Sequence, residues 1–287
     1  MKILNYGDNV GIVACSNGLD KSYECKIAEL ENTLDLLGLK AIFSEKLYKE
    51  NSIFNGTGRE KADILINLFK DSKVKAIFDV SGGDLANEVL EYLDYEEIKK
   101  NAKPFFGYSD LSVVINSLYY KSGIETYLYQ IRNLIGDNSE IQIKNFKETF
   151  MEDKNSLFDF KYEWIQGKYL NGIVVGGNIR CFLKLAGTEY IPNFKDKVLL
   201  LESLSGDVAK MSTYLTQYKQ LGVFKEITGI ILGDFTEMEN KKYTPNIIEL
   251  IQKIVDNVNI PIVKTSQIGH GSDSKCIIIG KNIELKK

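Results

Sequence analysis

Residues 73–120 read KVKAIFDVSGGDLANEVLEYLDYEEIKKNAKPFFGYSDLSVVINSLYY, and this stretch decides the fold. Residues 75–80 are an apolar run that stops at Ser81-Gly82-Gly83, a strand running into a turn. Residues 85–100 carry helical spacing. Pro104 opens a second apolar run, which ends at Gly107-Tyr108-Ser109-Asp110, and 111–120 is helical again. Strands separated by helices of this length pair in parallel through right-handed crossovers. The alternation continues on both sides. Residues 10–16 form a strand ending in Ser-Asn-Gly, and 21–37 place Ile27, Leu30, Leu34 and Leu37 on one helical stripe. Residues 39–43 are strand-like, 59–69 put Ala62, Leu65, Ile66 and Phe69 on one face, and 124–129 are strand-like again. An α/β fold follows: an open, doubly wound parallel sheet over 1–135, with its site at the carboxyl ends of the strands.

The region 136–168 is polar and irregular, and predicts a helix at 140–150 plus a linker. A second, smaller α/β domain is expected over 169–287. It would comprise a strand and tight turn at 173–177, a helix to Ala186, and a buried strand at 197–201 followed by Glu202. A helix at 208–221, a strand at 227–232, a helix at 245–258 with Pro245 in its first turn and a strand at 261–265 complete it. A terminal hairpin across 276–285 is expected to turn at Gly280-Lys281-Asn282.

Composition narrows the chemistry. The chain has 287 residues, 44% of them hydrophobic and 26% charged, so it can bury a core. Its 14 Phe and 16 Tyr exclude disorder as the main state. A formal charge of −3 argues against a nucleic-acid binder. No apolar run approaches a membrane span, and the start has no uninterrupted apolar signal region. The four cysteines form no C-x-x-C pair, which predicts reduced thiols and a cytoplasmic location. A single His excludes metal sites built on two or three imidazoles. It also makes His270 the only imidazole base. Neither G-x-G-x-x-G on the first strand nor a phosphate loop is present. No metal and no cofactor are expected.

The strand ends carry the candidate chemistry. Gly107-Tyr108-Ser109-Asp110 sits where a strand turns sharply into a helix, which exposes a hydroxyl as a nucleophile elbow does. By itself it reads rather as a Ser cap with Asp in the first turn. Ser81-Gly82-Gly83-Asp84 offers backbone N–H groups to an oxyanion, or is an ordinary turn, and Gly176-Gly177-Asn178 has the same ambiguity. Glu202 ends the VLLL strand, where it faces water or orients an imidazole. His270 lies between glycines in a tight loop. Cys15 is a rival nucleophile or a small buried residue. Asp234 and Glu237 either meet a cationic ligand group or cap their strand. The order Ser, Glu, His at strand ends is one that a hydrolase triad can take.

In this order the motifs resemble the LD-carboxypeptidase family of serine peptidases, which includes the microcin C immunity peptidases. The resemblance runs from VGIVACS through VSGGDLANEVLEYLDYEEIKKNAKPFFGYSDLS and VVGGNIRCFLKLAGTEYIPNFKDKVLLLE to IGHGSDSKCIIIG, covering nearly the whole chain. It implies a Rossmann-like N-terminal domain, a C-terminal domain and a cytoplasmic homodimer. It implies a triad on Ser109, Glu202 and His270, with oxyanion donors on Gly82, Gly83 and the N–H of Asp110. Asp84, Gln130, Asp234 and Glu237 are the candidate substrate-binding residues. The implied activity removes the terminal D-amino acid from an L,D bond of murein tetrapeptides, so the partner is a small peptide or muropeptide. Thr126-Tyr127-Leu128-Tyr129-Gln130 departs from the family's usual T-x-x-G-P, and SLSGD after Glu202 lacks the usual Asp and prolines. Both segments border the substrate. Two alternatives stand beside this: an immunity-type peptidase acting on aminoacyl-sulfamoyl or phosphoramidate nucleotides, and a non-catalytic peptide or sugar-peptide binding module. Trp164, the only Trp, is expected to pack rather than to stack on a base.

Overall fold

The computed structural model describes residues 2–287 and contains twelve strands within them. They are β1 (Asn9–Val13), β2 (Lys40–Phe43), β3 (Val74–Asp79), β4 (Phe105–Gly107), β5 (Thr126–Leu128), β6 (Glu163–Gln166), β7 (Tyr169–Asn178), β8 (Lys197–Ser203), β9 (Gly229–Phe235), β10 (Ile262–Lys264), β11 (Ile277–Ile279) and β12 (Asn282–Lys286). They form two six-stranded sheets, ordered β11-β5-β4-β3-β1-β2 and β12-β7-β8-β9-β10-β6. Within each sheet the neighbours are parallel, except the antiparallel edge pairs β11–β5, β12–β7 and β10–β6. The central strands are apolar runs because both of their faces are covered; Val198–Leu201 and Ile230–Leu232 are fully buried. Among the described residues no helix is long and apolar enough to cross a membrane.

The first sheet has the doubly wound order 2-1-3-4-5, which reverses direction between β1 and β3. A crevice opens at such a reversal, outside the carboxyl ends of the strands. Cys15-Ser16 follow β1 there, and Ser81-Gly82-Gly83 follow β3.

Several expected elements change. The terminal hairpin is not formed: β11 pairs with β5 in the first sheet, while β12 pairs with β7 in the second. Its two halves have incompatible patterns. Ile277–Ile279 are buried throughout, whereas β12 alternates between exposed and half-buried residues, so one shared face cannot serve both. The chain end therefore ties the two sheets together. The helix expected at 85–100 breaks into a 3₁₀ turn, Ala86–Tyr92, and a helix, Tyr95–Lys100. The break falls at Asp94, whose side chain caps the second piece by accepting the Glu97 N–H at 2.9 Å. The expected linker is structured. The helix expected at 140–150 forms, as Ser139–Phe146 continuing into a π-helical turn, Lys147–Met151, and the rest of the segment is structured as well because it holds β6. Phe146 and Phe150 are wholly buried, and Phe150 meets Phe106 edge-on at 5.1 Å. Trp164 lies in β6 against Tyr162, with its ring N–H buried.

The helix Ser112–Ser122 is the wedge between the sheets, and eight of its residues are buried. Asn116 offers the β7 backbone a complete peptide-like partner. Its amide donates to the Gly176 carbonyl at 2.8 Å, and its Oδ1 accepts the Gly176 N–H at 2.9 Å. One turn earlier the Ser112 hydroxyl accepts the Asn178 N–H at 2.9 Å and donates to the Ser109 carbonyl at 2.7 Å. This contact explains the paired glycines: a Cβ on Gly177 would stand 2.5 Å from the Ser112 hydroxyl, and one on Gly176 would stand 2.2 Å from the Leu200 carbonyl. Both also have positive φ, at 139° and 112°. The Gly-Gly-Asn turn is thus the seam between the sheets.

Asn116→Ala leaves a buried N–H and a buried carbonyl of Gly176 unpaired. It should lower unfolding free energy by roughly 2–4 kcal/mol in urea titrations. Ser117→Ala removes only a hydroxyl that bonds back to its own helix at Val113, and should cost less than about 1 kcal/mol in the same assay.

Candidate active site

Ser109 is built on strain. β4 ends at Gly107, and two residues later Ser109 has φ of +56°, a left-handed conformation unusual for a side-chain-bearing residue. The turn is so tight that a Cβ on Gly107 would come within 2.7 Å of the Leu111 Cβ. This is the geometry of a nucleophile elbow: a small residue two positions before the Ser, and a hydroxyl held out at the strand end.

Glu202 and His270 reach this hydroxyl from the second sheet. Glu202 lies within β8, one residue before its end, and is fully buried. His270 sits on the loop after β10. That loop crosses close to β9, where Asp234 N–H donates to the Ile268 carbonyl at 2.7 Å. Only glycine fits at the crossing: a Cβ on Gly233 would meet the Ile268 carbonyl at 2.4 Å and the Glu202 Cβ at 2.9 Å. Gly269, at φ of +151°, would meet Asp234 at 2.8 Å. So guided, His270 places Nδ1 2.6 Å from Glu202 Oε2 and Nε2 3.2 Å from Ser109 Oγ. The carboxylate fixes the tautomer, with the proton on Nδ1 and the Nε2 lone pair toward Ser109. The Tyr108 ring backs the imidazole, with centroids 4.4 Å apart. Burial and the Glu202 charge hold the Tyr108 phenol far above its usual range, so it stays neutral.

The oxyanion candidates lie beside the hydroxyl. Gly83 has φ of +125°, and a Cβ there would strike the Asn17 side chain at 2.2 Å. Among the described residues the N–H groups of Gly82, Gly83 and Asp110 have no protein acceptor in turns, loops or caps. The Asp110 side chain has a separate task. It is fully buried, accepts the Ser16 hydroxyl at 2.6 Å and the Ala86 N–H at 2.9 Å, and pairs with Lys184 from the second unit.

Asp79, which the sequence reading passed over, organises the other half of the crevice. It accepts the Cys15 N–H at 2.7 Å, the Ser81 N–H at 2.7 Å and the Ser81 hydroxyl at 2.6 Å. Burial pushes its carboxyl up, and these bonds oppose that shift. Burial, then the Asp79 charge, raises the Cys15 thiol well above its usual range, which disfavours the thiolate a nucleophile requires.

A cavity of about 520 Å³ opens in front of Ser109 and His270. Gly82, Gly83 and Tyr108 line it, together with Gln130, Arg132 and Asn133, and with Tyr23, Lys26, Ile27, Ile135 and Leu204 around the mouth. Gln130 is therefore where a substrate residue would be. Asp84, Asp234 and Glu237 are not among the lining residues, and each is already bonded. Asp84 pairs with Arg180, and Asp234 accepts the Thr236 hydroxyl. Glu237 is held down to about 2 by its bond from Lys241 at 2.9 Å and by the Gly206 N–H at 2.6 Å. These three acids brace loops. Arg132, Asn133 and Lys26 were missed because no motif marks them: Arg132 and Asn133 lie between the buried Ile131 and Leu134 on a short turn, and Lys26 is an exposed helical position. The one signal near them was the unusual segment ending at Gln130. A larger depression of about 680 Å³ beside Tyr243 and Lys264 shares no lining residue with this cleft.

Comparison with known proteins agrees with this architecture. The family models described as LD-carboxypeptidase N-terminal domain and LD-carboxypeptidase C-terminal domain match residues 10–129 and 171–285. A Bacillus subtilis protein named "Probable murein peptide carboxypeptidase" is 25% identical over 97% of this chain and 89% of its own. A muramoyltetrapeptide carboxypeptidase from Oxalobacter formigenes superposes with a TM-score of 0.82 at 20% identity, covering 97% of this chain and 95% of its own. The microcin C7 self-immunity protein MccF of Escherichia coli is 22% identical over 98% of this chain and 91% of its own. The structure of MccF in complex with glutamyl sulfamoyl guanosine superposes with a TM-score of 0.86 at 20% identity, covering 100% and 98% of the two chains. The chain belongs to the LD-carboxypeptidase family and carries both of that family's domains.

Proposed function

We propose that the chain is a serine carboxypeptidase that cleaves an L,D amide and releases the terminal D-amino acid of a murein tetrapeptide. The observation that carries this reading is the line from Glu202 through His270 to Ser109, with contacts of 2.6 and 3.2 Å, closing at a strained strand end. In the first step Ser109 Oγ attacks the scissile carbonyl carbon while His270 Nε2 takes the hydroxyl proton. Glu202 Oε2 accepts from Nδ1–H and stabilises the imidazolium that forms. The N–H groups of Gly83 and Asp110 receive the oxyanion of the tetrahedral intermediate. The C–N bond then breaks, and the imidazolium gives its proton to the departing D-amino acid. Water enters, loses a proton to Nε2, attacks the acyl ester, and Ser109 is regenerated.

The cleft supports a peptide substrate over a nucleotide conjugate, because Trp164, which could have faced a base, is not among the lining residues.

The wild-type protein should remove one D-Ala from a murein tetrapeptide, read as a single mass loss, and should turn over an aminoacyl-sulfamoyl adenosine more slowly. Ser109→Ala and His270→Ala should each abolish release while leaving the melting curve in place. Retained activity in His270→Ala would overturn the mechanism, since the chain has no other His. Glu202→Gln should lower turnover by about 10³–10⁴-fold through loss of the tautomer and of charge, the scale seen for the analogous change in a well-studied triad.

Iodoacetamide on the native protein should mark the exposed Cys25 and spare the buried Cys15, Cys181 and Cys276. Peptide mass mapping reads the label, and peptide hydrolysis should survive it. Loss of activity that tracks modification of Cys15 would favour a thiol mechanism.

A further inference from the structure

The charged groups around the cleft differ in what they are already bonded to. The acids are committed: Asp79 to the Cys15 and Ser81 turns, Asp110 to Ser16, Ala86 and Lys184, and Glu202 to His270. Most nearby cations are committed too. Arg180 and Lys184 pair with Asp84 and Asp110, and Lys26 at the mouth pairs with Glu29 at 2.7 Å. Arg132 is the exception. It is half-buried and lines the cleft with Ser109 and His270. Among the described residues it has no carboxylate partner, and its Nε is buried without an acceptor. The side-chain amide nitrogen of its neighbour Asn133, which also lines the cleft, is buried and unpartnered in the same way.

The site is positioned despite lacking an anion. Gln130 Oε1 accepts the Arg132 backbone N–H at 3.3 Å, which fixes the root of the side chain. The Tyr23 ring stands 5.8 Å from the guanidinium carbon, which orients the charge without neutralising it. The Arg132 charge is also felt at the Tyr108 phenol, on the residue that precedes Ser109 and backs His270, so it acts close to the reacting centre. A half-buried guanidinium with an unused buried donor, next to an amide with another, is complementary to a planar two-oxygen anion. An exopeptidase working from the carboxyl end has such an anion on its leaving residue.

We infer that Arg132, with the Asn133 side-chain amide beside it, holds the terminal carboxylate of the residue released at Ser109, and so makes the enzyme act only at chain ends. This rests on the carboxypeptidase reading of the same cleft, and it concerns binding rather than bond breaking. Arg132 is thus a specificity residue.

The test uses Ser109→Ala protein, which binds but does not cleave, with N-acetyl-L-Lys-D-Ala and its terminal carboxamide as calorimetric probes. The acid should bind ~10–100-fold tighter than the amide, the range set by a hydrogen-bonded charge pair. Adding Arg132→Gln should remove that preference, and Asn133→Ala should reduce it. Arg132→Lys should keep part of it, since it retains the charge and loses the fork, and it serves as the working variant if Arg132→Gln melts early. Equal binding of acid and amide with Arg132 present, an unchanged preference in Arg132→Gln, or no binding of the acid would each overturn the inference. In the enzyme that retains Ser109, Arg132→Gln should raise KM for the acid with little change in kcat. If Ser109-bearing enzyme releases no D-Ala while the acid preference and its dependence on Arg132 persist, the carboxypeptidase reading fails and the carboxylate site stands.

Discussion

Ser109 and His270 belong to different sheets, so the 3.2 Å between them is a property of how the sheets are docked. The paired hydrogen bonds between Asn116 and Gly176 set that docking, because they fix one peptide unit of β7 against the helix that starts just after Ser109. A side-chain amide that copies a backbone pair is directional at both ends, and apolar packing alone is not. Ser112 extends the seam to the nucleophile itself, since one hydroxyl touches both Asn178 of β7 and the carbonyl of Ser109. A rotation of one sheet against the other would therefore break buried bonds before it moved Oγ away from Nε2. β11 and β12 restrain the same motion from the far side, because one short segment enters both sheets.

Two further buried carboxylates make the crevice rigid, at the cost of desolvating their charge. Asp79 joins the ends of β1 and β3 through the Cys15 and Ser81 turns, and Asp110 joins the elbow to Ser16, to Ala86 and, through Lys184, to the second unit. Each meets three or more donors, the condition under which a buried charge is tolerated. The benefit is preorganisation. Among the described residues the N–H groups of Gly83 and Asp110 have no protein acceptor in turns, loops or caps, and the turns that carry them are held from behind by side chains. On the proposed mechanism, donors fixed in this way would not need to reorganise when the oxyanion develops.

Much of this was legible in the sequence, and what was not has a physical explanation. Strands such as VKAIFD and VLLL are buried on both faces and announce themselves as apolar runs, so the parallel core was readable. The strand ends carrying Ser109, Glu202 and His270 were readable because turns need glycine and the chain has one His. The terminal hairpin was misread because Gly-Lys-Asn looks like a local turn, and only the pairing partners show that its arms diverge. The helix at 140–150 was readable, but β6 within the supposed linker was not, because its pairing partner β10 lies about a hundred residues along the chain, outside any local window. Asp84, Asp234 and Glu237 follow strands as binding residues do, but strand-end acids also brace loops, and spacing does not separate the two roles. Arg132 was invisible for the opposite reason: its distinguishing feature is the lack of a carboxylate partner among the described residues, which no sequence displays.

The resulting cleft divides its labour by charge. The acids around the cleft are buried and bonded, Asp79 and Asp110 in shaping backbone and Glu202 through one oxygen to the imidazole. Among the described residues that line the cleft, the cation without a carboxylate partner is Arg132, on a 3₁₀ turn (Ile131–Ile135) shortly after β5. On the proposed reading, this placement couples recognition to the first sheet, the same sheet that carries Ser109 and the Gly82-Gly83 turn. A substrate held by its end against Arg132 would then be registered to Ser109 and the proposed oxyanion donors within one sheet, while the second sheet would bring Glu202 and His270 for proton transfer. Registration within one sheet tolerates small shifts at the seam, and proton transfer does not.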